Sequence, residues 1–141
     1  MSKVWFITGA GSGIGAGIAR AALKAGDRVV ATARNLDKLG NALHDVTGKN
    51  LAFVQLDVTD EAQAKTAVEK GVKEFGRIDV AVNNAGYAVM GNFEELPTAD
   101  IEQQVATNFW GVAYVMRAVL PVMRKQRSGH IFNISSVAGV V

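Results

Sequence analysis

The chain has 141 residues, 49% of them apolar and 20% charged, with a formal net charge of +2 and no cysteine. A chain of this length fits one domain and buries roughly 68–70% of the surface that it exposes when unfolded. The lack of cysteine excludes disulfides and thiolate metal sites and leaves the redox compartment open. The one basic cluster, Arg124-Lys125-Gln126-Arg127, has no interleaved aromatic residues. It falls where a helix is expected to end and complements the helix dipole, so no nucleic-acid partner is expected.

No unbroken apolar run has the length of a membrane span, and Val4 to Ile7 is too short for the core of a signal peptide. No membrane partner is therefore expected, and a cytoplasmic location is the default. His44 and His130 are isolated from carboxylates in sequence and read as structural or solvated, so no metal is expected.

Five β-rich runs alternate with helical patterns. Val4–Thr8 is densely apolar, as in a strand buried on both faces. Ile14 to Ala25 reads as a helix closed by Gly26. Val29–Thr32 is the second strand, and Asn35 can cap a helix from about Leu36 to Val46. Leu51–Leu56 is the third strand, and Asp60 can cap a helix that runs to Phe75 and stops at Gly76. Val80–Asn83 is the fourth strand. After a loop to about Pro97, a long helix is expected from about Asp100 to Arg127, with Pro121 kinking or dividing it. Ile131–Ser135 is the fifth strand. Strands alternating with helices imply a parallel sheet with right-handed crossovers and helices on both faces, an α/β doubly wound fold. No linker or internal boundary interrupts residues 1–141.

Thr8-Gly9-Ala10-Gly11-Ser12-Gly13-Ile14-Gly15 lies between the first strand and the first helix. Glycines there permit a tight turn and bring backbone N–H groups close to a pyrophosphate, while the helix N-terminus adds positive dipole. Gly11-x-Gly13-x-x-Ala16 satisfies the dinucleotide fingerprint in its strand-turn-helix context. The stretch has no lysine, so it is not a triphosphate-binding P-loop. At the end of the second strand an acid would bond the ribose 2′-hydroxyl of NAD and repel the 2′-phosphate of NADP. The sequence there is Ala31-Thr32-Ala33-Arg34. With no acid and with an arginine able to clamp a phosphate, NADP (NADPH) is favoured over NAD.

Together these stretches resemble the short-chain dehydrogenase/reductase family. Thr8-Gly9-x-x-x-Gly13-x-Gly15 resembles its cofactor loop, and Asp57-Val58 its adenine-contacting pair. Asn83-Asn84-Ala85-Gly86 is similar to its tetrapeptide after the fourth strand. Asn108, in Thr107-Asn108-Phe109-Trp110-Gly111, matches its helical active-site asparagine, and Ile134-Ser135-Ser136-Val137-Ala138-Gly139 matches the end of its fifth strand. The matches fall in family order and cover nearly the whole chain. The resemblance implies a Rossmann-like sheet of which five strands of seven fall here, in the order 3-2-1-4-5. It identifies residues 1–141 as the N-terminal part of the NAD(P)-binding domain. It also implies hydride exchange between nicotinamide and a small-molecule carbonyl or secondary alcohol.

By the same resemblance, Ser136 (not Ser135) bonds the substrate carbonyl oxygen, and Asn108 holds a water in a proton relay. Asn108 is expected to be buried in its apolar helix, where its amide needs partners. The backbone of Ala85-Gly86 passes close to the cofactor ribose. Tyr87 is expected to line the cleft and Tyr114 to lie in the core.

The family's proton donor, a tyrosine followed four residues later by a lysine, has no match here. Gly91 and Ala118 stand four residues after Tyr87 and Tyr114. The chain tested alone is therefore expected to be inactive or nearly so. A non-catalytic dinucleotide-binding module or sensor is the alternative, and a structural scaffold a third. The complete protein is expected to be a homo-oligomer, with Phe109, Trp110, Val112, Val115 and Met116 either at its interface or buried against the sheet. The fifth strand is expected to be an exposed edge, which invites association.

Overall fold

The computed structural model describes residues 1–139. Ten principal elements follow in order: β1 (Val4–Ile7), α1 (Gly13–Lys24), β2 (Arg28–Ala33), α2 (Leu36–Ala42), β3 (Leu51–Gln55), α3 (Glu61–Phe75), β4 (Val80–Asn83), α4 (Thr98–Val105), α5 (Gly111–Gln126) and β5 (His130–Asn133). The five strands form one sheet in the order β3-β2-β1-β4-β5, and every pairing is parallel.

Side chains alternate across the strands, which builds a core on each face. Phe6, Val30 and Ala81 point to one face, where Ala64, Ala67 and Val68 of α3 and Val115, Val119 and Met123 of α5 cover them. Ile7, Val29, Ala31 and Val82 point to the other, beneath α1 and α2. The face of α1 turned to the sheet is made of Gly15, Ala16, Ala19 and Ala22. These small residues let the helix lie close to the strands.

Local chemistry fixes most element boundaries. The Asn35 side chain accepts the N–H groups of Asp37 and Lys38 and starts α2. The Asp60 side chain accepts the N–H of Gln63 and starts α3, and Gly76 ends it. Two expectations need correction. The helix expected to reach Val46 stops at Ala42 and is followed by a short turn of 3-10 helix, His44–Val46. The Arg20 guanidinium takes the Ala42 carbonyl and pairs with Asp45 at 3.1 Å, so this end of the helix is held by tertiary bonds.

The long helix is not divided at Pro121, because α5 runs through it. Pro121 lies on the exposed side, where water can satisfy the carbonyl left without a donor. The discontinuity lies instead at Ala106–Trp110, a π-turn between α4 and α5. Thr98–Gln126 thus forms a continuous 29-residue stretch that is long and apolar enough to cross a membrane by length and composition. In the fold it packs on α3 and the sheet through Val115, Val119 and Met123.

Asp79 organises the amino edge of the sheet. Its N–H donates to the Val4 carbonyl, and its own carbonyl accepts from His130. Its carboxylate accepts the Val4 N–H at 2.9 Å and Arg77 Nε at 2.8 Å. Burial pushes this carboxyl up, but the Arg77 and Val4 hydrogen bonds and the charges of Arg77 and Arg28 outweigh it and hold it below the usual range.

A depressed folded-state value means that the ionised form favours folding. That stability is present above the unfolded value of about 3.9 and is lost as pH falls through the lower folded value. Asp79→Ala should cost about 1–3 kcal/mol in urea unfolding at neutral pH, the range for a buried hydrogen-bonded charge. The gap to the native chain should narrow as the pH falls below about 4. A gap that is constant with pH would show that the charge plays no part.

Candidate functional site

Every strand delivers its carboxyl end to the same edge of the sheet, where ligands bind in open parallel folds. The Gly-rich turn leaves β1 there and is tied to the exit of β4. Thr8 is 1% exposed. Its Oγ1 accepts the N–H groups of Asn84 and Ala85, each at 3.0 Å. The Asn84 carboxamide in turn donates to the carbonyls of Thr8 at 3.2 Å and Gly9 at 3.1 Å.

The turn is tight enough to specify its glycines. Gly9 sits at φ +63° with Ala85 Cα 3.0 Å from where a Cβ would stand. At Gly15 a Cβ would overlap the Gly9 carbonyl and the Asn84 amide. Ser12 is the extended N-cap of α1, yet its side chain makes no cap bond. The first N–H groups of a helix have no intrahelical partner. Those of α1 therefore open onto this edge beside the exposed Ser12, Gly13 and Ile14. Backbone N–H groups at such a helix start suit an anion.

The remaining residues singled out from the sequence stand around it. Arg34 follows β2 and is exposed. Asp57 Oδ1 accepts the N–H of Thr59 at 3.0 Å and its hydroxyl at 2.7 Å, which leaves Oδ2 uncommitted. Val58 is buried beneath Gly111, where a Cβ would come within 2.6 Å of Val58 Cγ2. Asn83 is buried and donates to Asn133 Oδ1 at 2.8 Å, locking β4 to β5. Gly86 passes so close to the Asn108 carboxamide that a Cβ built there would stand 3.0 Å from Oδ1.

Asn108 departs from its expected setting. It is exposed, not buried, within the π-turn. Its partners are backbone groups of a loop: Nδ2 donates to the Tyr87 carbonyl at 2.7 Å, and Oδ1 accepts the Tyr87 N–H at 3.1 Å. The side chain thus secures residues 86–88 to the helix. One turn earlier, Gln104 Oε1 accepts the Val89 N–H at 2.6 Å. Gln104 escaped notice in the sequence, although its i, i+4 spacing from Asn108 puts both on one face. Ser136 lies three residues past Asn133, the last residue of β5. It is exposed, and its Oγ accepts the Ala138 N–H at 3.2 Å. Tyr87 is 44% exposed at the edge, whereas Tyr114 is half-buried and stacks on Trp110 at 5.9 Å. Of the apolar helical residues, Val115 is buried, Val112 and Met116 are half-buried, and Phe109 and Trp110 are exposed.

The sequence matches the family described as short chain dehydrogenase over residues 3–141. The chain belongs to this family. It is 49% identical over 139 residues to the oxidoreductase BOA17 of Botryotinia fuckeliana, covering 99% of this chain and 51% of that protein. It is 40% identical over 141 residues to the oxidoreductase claN of Passalora fulva, covering 99% of this chain and 64% of that protein. The chain thus spans about half the length of the first of these relatives.

Among solved structures, a short chain dehydrogenase/reductase from Burkholderia phymatum in complex with NAD superposes with a TM-score of 0.95. It has 31% identity and covers 99% of this chain and 51% of its own. ElxO with NADP bound superposes with a TM-score of 0.91 at 39% identity, covering 100% and 58%. The fold is therefore Rossmann-like, the family is one of oxidoreductases, and these two neighbours hold NAD and NADP.

Gly15→Ala tests the cradle. The added methyl has no space, so the turn must separate from Asn84. A loss of about 1–3 kcal/mol in stability is expected, as for overpacking, together with a loss of dinucleotide binding in calorimetric titration. A variant that keeps both would show that the turn is slack.

Proposed function

We propose that this chain carries the cofactor half of an NADP-dependent oxidoreductase that acts on a carbonyl or a secondary alcohol. The observation that carries the reading is the Gly-rich turn. It is locked by Thr8 and Asn84 against β4, it presents unpaired N–H groups of α1, and Arg34 stands at the end of β2 in the place of an acid. The residues fit the cofactor. Backbone N–H groups and the dipole at Ser12–Gly15 hold the pyrophosphate. Asp57 Oδ2 is available to an adenine amino group, beside the backbone of Val58. Ala85 and Gly86 leave room for a ribose, with Asn84 fixing their path. Arg34 meets the 2′-phosphate with a planar fork. The bound nicotinamide gives or takes the hydride.

Two of the chain's own residues, Ser136 and Asn108, bear on the substrate side of the site. Ser136 follows β5 on the carboxyl edge of the sheet, and its Oγ can hydrogen-bond a carbonyl oxygen, stabilising charge that develops there. Asn108 holds the wall at Tyr87. Both its polar atoms are engaged with that loop, so we assign it a positioning role and not that of a freely exposed relay group. A forming alkoxide also needs a proton. A free tyrosine titrates near pH 10, so it serves at neutral pH only when a neighbouring cation lowers that value. Neither Tyr87 nor Tyr114 has a lysine four residues on. Activity, substrate, self-association and a cytoplasmic location are proposed for the longer protein that its relatives exemplify.

The engagement of both Asn108 polar atoms with Tyr87 favours a second reading, a dinucleotide-binding module without chemistry. Titration calorimetry separates the outcomes. The 141-residue chain should bind NADP+ at least about ten-fold more tightly than NAD+, and Arg34→Ala should erase most of the difference, since a charge-assisted contact is worth about 1.5–3 kcal/mol. It should show no measurable carbonyl reduction with NADPH. Equal affinity for NAD+ would overturn the cofactor assignment, and robust reduction by this chain would overturn the role given to the missing proton donor.

A further inference from the structure

The segment that follows Ala85 has no regular structure, and its backbone has few partners. Among the described residues, every hydrogen bond to the backbone of residues 86–91 is made by two side chains of the next helical stretch. Asn108 takes the N–H and the carbonyl of Tyr87. Gln104 Oε1 accepts the Val89 N–H at 2.6 Å. Gln104 stands in α4 and Asn108 in the π-turn that continues it. Their settings differ. Asn108 is exposed, whereas Gln104 and Val89 are half-buried. Water therefore competes less for the Gln104 bond. Gln104 Nε2 makes no hydrogen bond among the described residues, so this side chain serves the segment as an acceptor alone.

Strand order places the segment along the dinucleotide. Asp57 follows β3, Arg34 follows β2, and the Gly-rich turn follows β1, in a sheet ordered β3-β2-β1-β4-β5. A dinucleotide with its adenosine half over β3 and β2 and its pyrophosphate over the turn extends its nicotinamide half over β4 and β5. Gly86 to Val89 leave β4 on that side. Without Gln104, the backbone beyond Tyr87 has no hydrogen bond before Asn92, whose carbonyl accepts the Glu95 N–H.

We infer that Gln104 is a positioning residue for the nicotinamide half of the site and acts through the Val89 N–H. This rests on the dinucleotide reading and deepens it. Gln104 touches no ligand. It fixes the path of residues 86–89 before binding, which lowers the ordering cost that a ligand must otherwise offset. The adenosine half, held at β1 to β3, gains nothing from it.

The test combines titration calorimetry, with NADP+ and with adenosine 2′,5′-bisphosphate as the adenosine half alone, and amide hydrogen exchange followed by NMR. Gln104→Leu keeps a good helix former and removes the acceptor. It should speed exchange of the Val89 amide about ten-fold or more and leave the β1 and β4 amides unchanged. NADP+ should bind about five-fold more weakly, the scale of one neutral hydrogen bond, with the bisphosphate unaffected. Gln104→Glu retains an acceptor oxygen and should restore both readouts. Equal weakening of NADP+ and the bisphosphate would show that Gln104 acts through the whole fold, which overturns the assignment. A freed Val89 amide with NADP+ affinity intact overturns it as well, as does failure of Gln104→Glu to restore binding. If the unsubstituted chain binds NADP+ no more tightly than the bisphosphate, the nicotinamide half is not held here; the inference falls and the dinucleotide reading stands. If the chain binds neither NADP+ nor NAD+, both fall together.

Discussion

The Thr8 hydroxyl oxygen, deep between two parallel strands, accepts the N–H groups of Asn84 and Ala85, and the Asn84 amide bonds the carbonyls of Thr8 and Gly9 in return. These bonds join the exits of β1 and β4, the two strands at which the sheet's winding order reverses. A crevice at such a reversal is where an open α/β sheet binds its ligand. The closeness of the two backbones explains the glycines: Gly9 has Ala85 against it, and Gly15 has Gly9 and Asn84 against it. The same bonds orient the start of α1, so its unpaired N–H groups face the crevice at a fixed distance from Ala85 and Gly86. A phosphate site assembled this way needs no charged side chain. Its rigidity comes from buried hydrogen bonds that would be costly to leave unmade.

How legible each feature was in the sequence depends on how local its cause is. Strand count, helix starts at Asn35 and Asp60, and the stop at Gly76 rest on one or two neighbouring residues, and the structure reproduces them. The Gly-rich turn was legible for the same reason, since its constraint falls on consecutive residues. The end of α2 was not, because Arg20, 22 residues before Ala42, supplies the partner that closes it. The π-turn was not legible either. It accompanies the bonds of Asn108 to Tyr87, 21 residues earlier, which no periodicity records. The expectation of a buried Asn108 failed because an apolar neighbourhood in sequence does not say which face of a helix a residue takes. Pro121 misled in the opposite direction, since its exposed position removes most of the cost of the missing donor.

The two sides of the sheet are unequal. On the β3 side, α2 and the short turn after it close over Leu39 and Leu43, both fully buried. On the β5 side the edge pairs, among the described residues, with β4 alone, and Phe132 and Ile134 are 52% and 45% exposed. Phe109 and Trp110 on the π-turn are also exposed, and they pack edge to face at 5.3 Å. A free strand edge beside apolar side chains is a surface that soluble proteins normally cover. The polar β-exits and the apolar flank therefore serve different ends. The first presents unpaired N–H groups at the start of α1, and the second leaves apolar surface uncovered.

This asymmetry bears on how binding and chemistry divide between segments. The cradle groups, Thr8 to Gly15, Arg34, Asp57 and Asn84 to Gly86, lie on or directly after β1 to β4, and Thr8, the Arg34 carbonyl, Asp57 and Asn84 are bonded within that part of the fold. Ser136 is different: it follows β5, whose outer edge has no partner among the described residues, and its Oγ accepts the nearby Ala138 N–H. Pre-organisation is what lets a polar group stabilise developing charge, because a group that must first be ordered loses that advantage. In the proposed reaction the cofactor site therefore draws its rigidity from buried strands. The group that faces the carbonyl depends on whatever covers β5, so dinucleotide affinity should be far less sensitive than catalysis to the state of that edge.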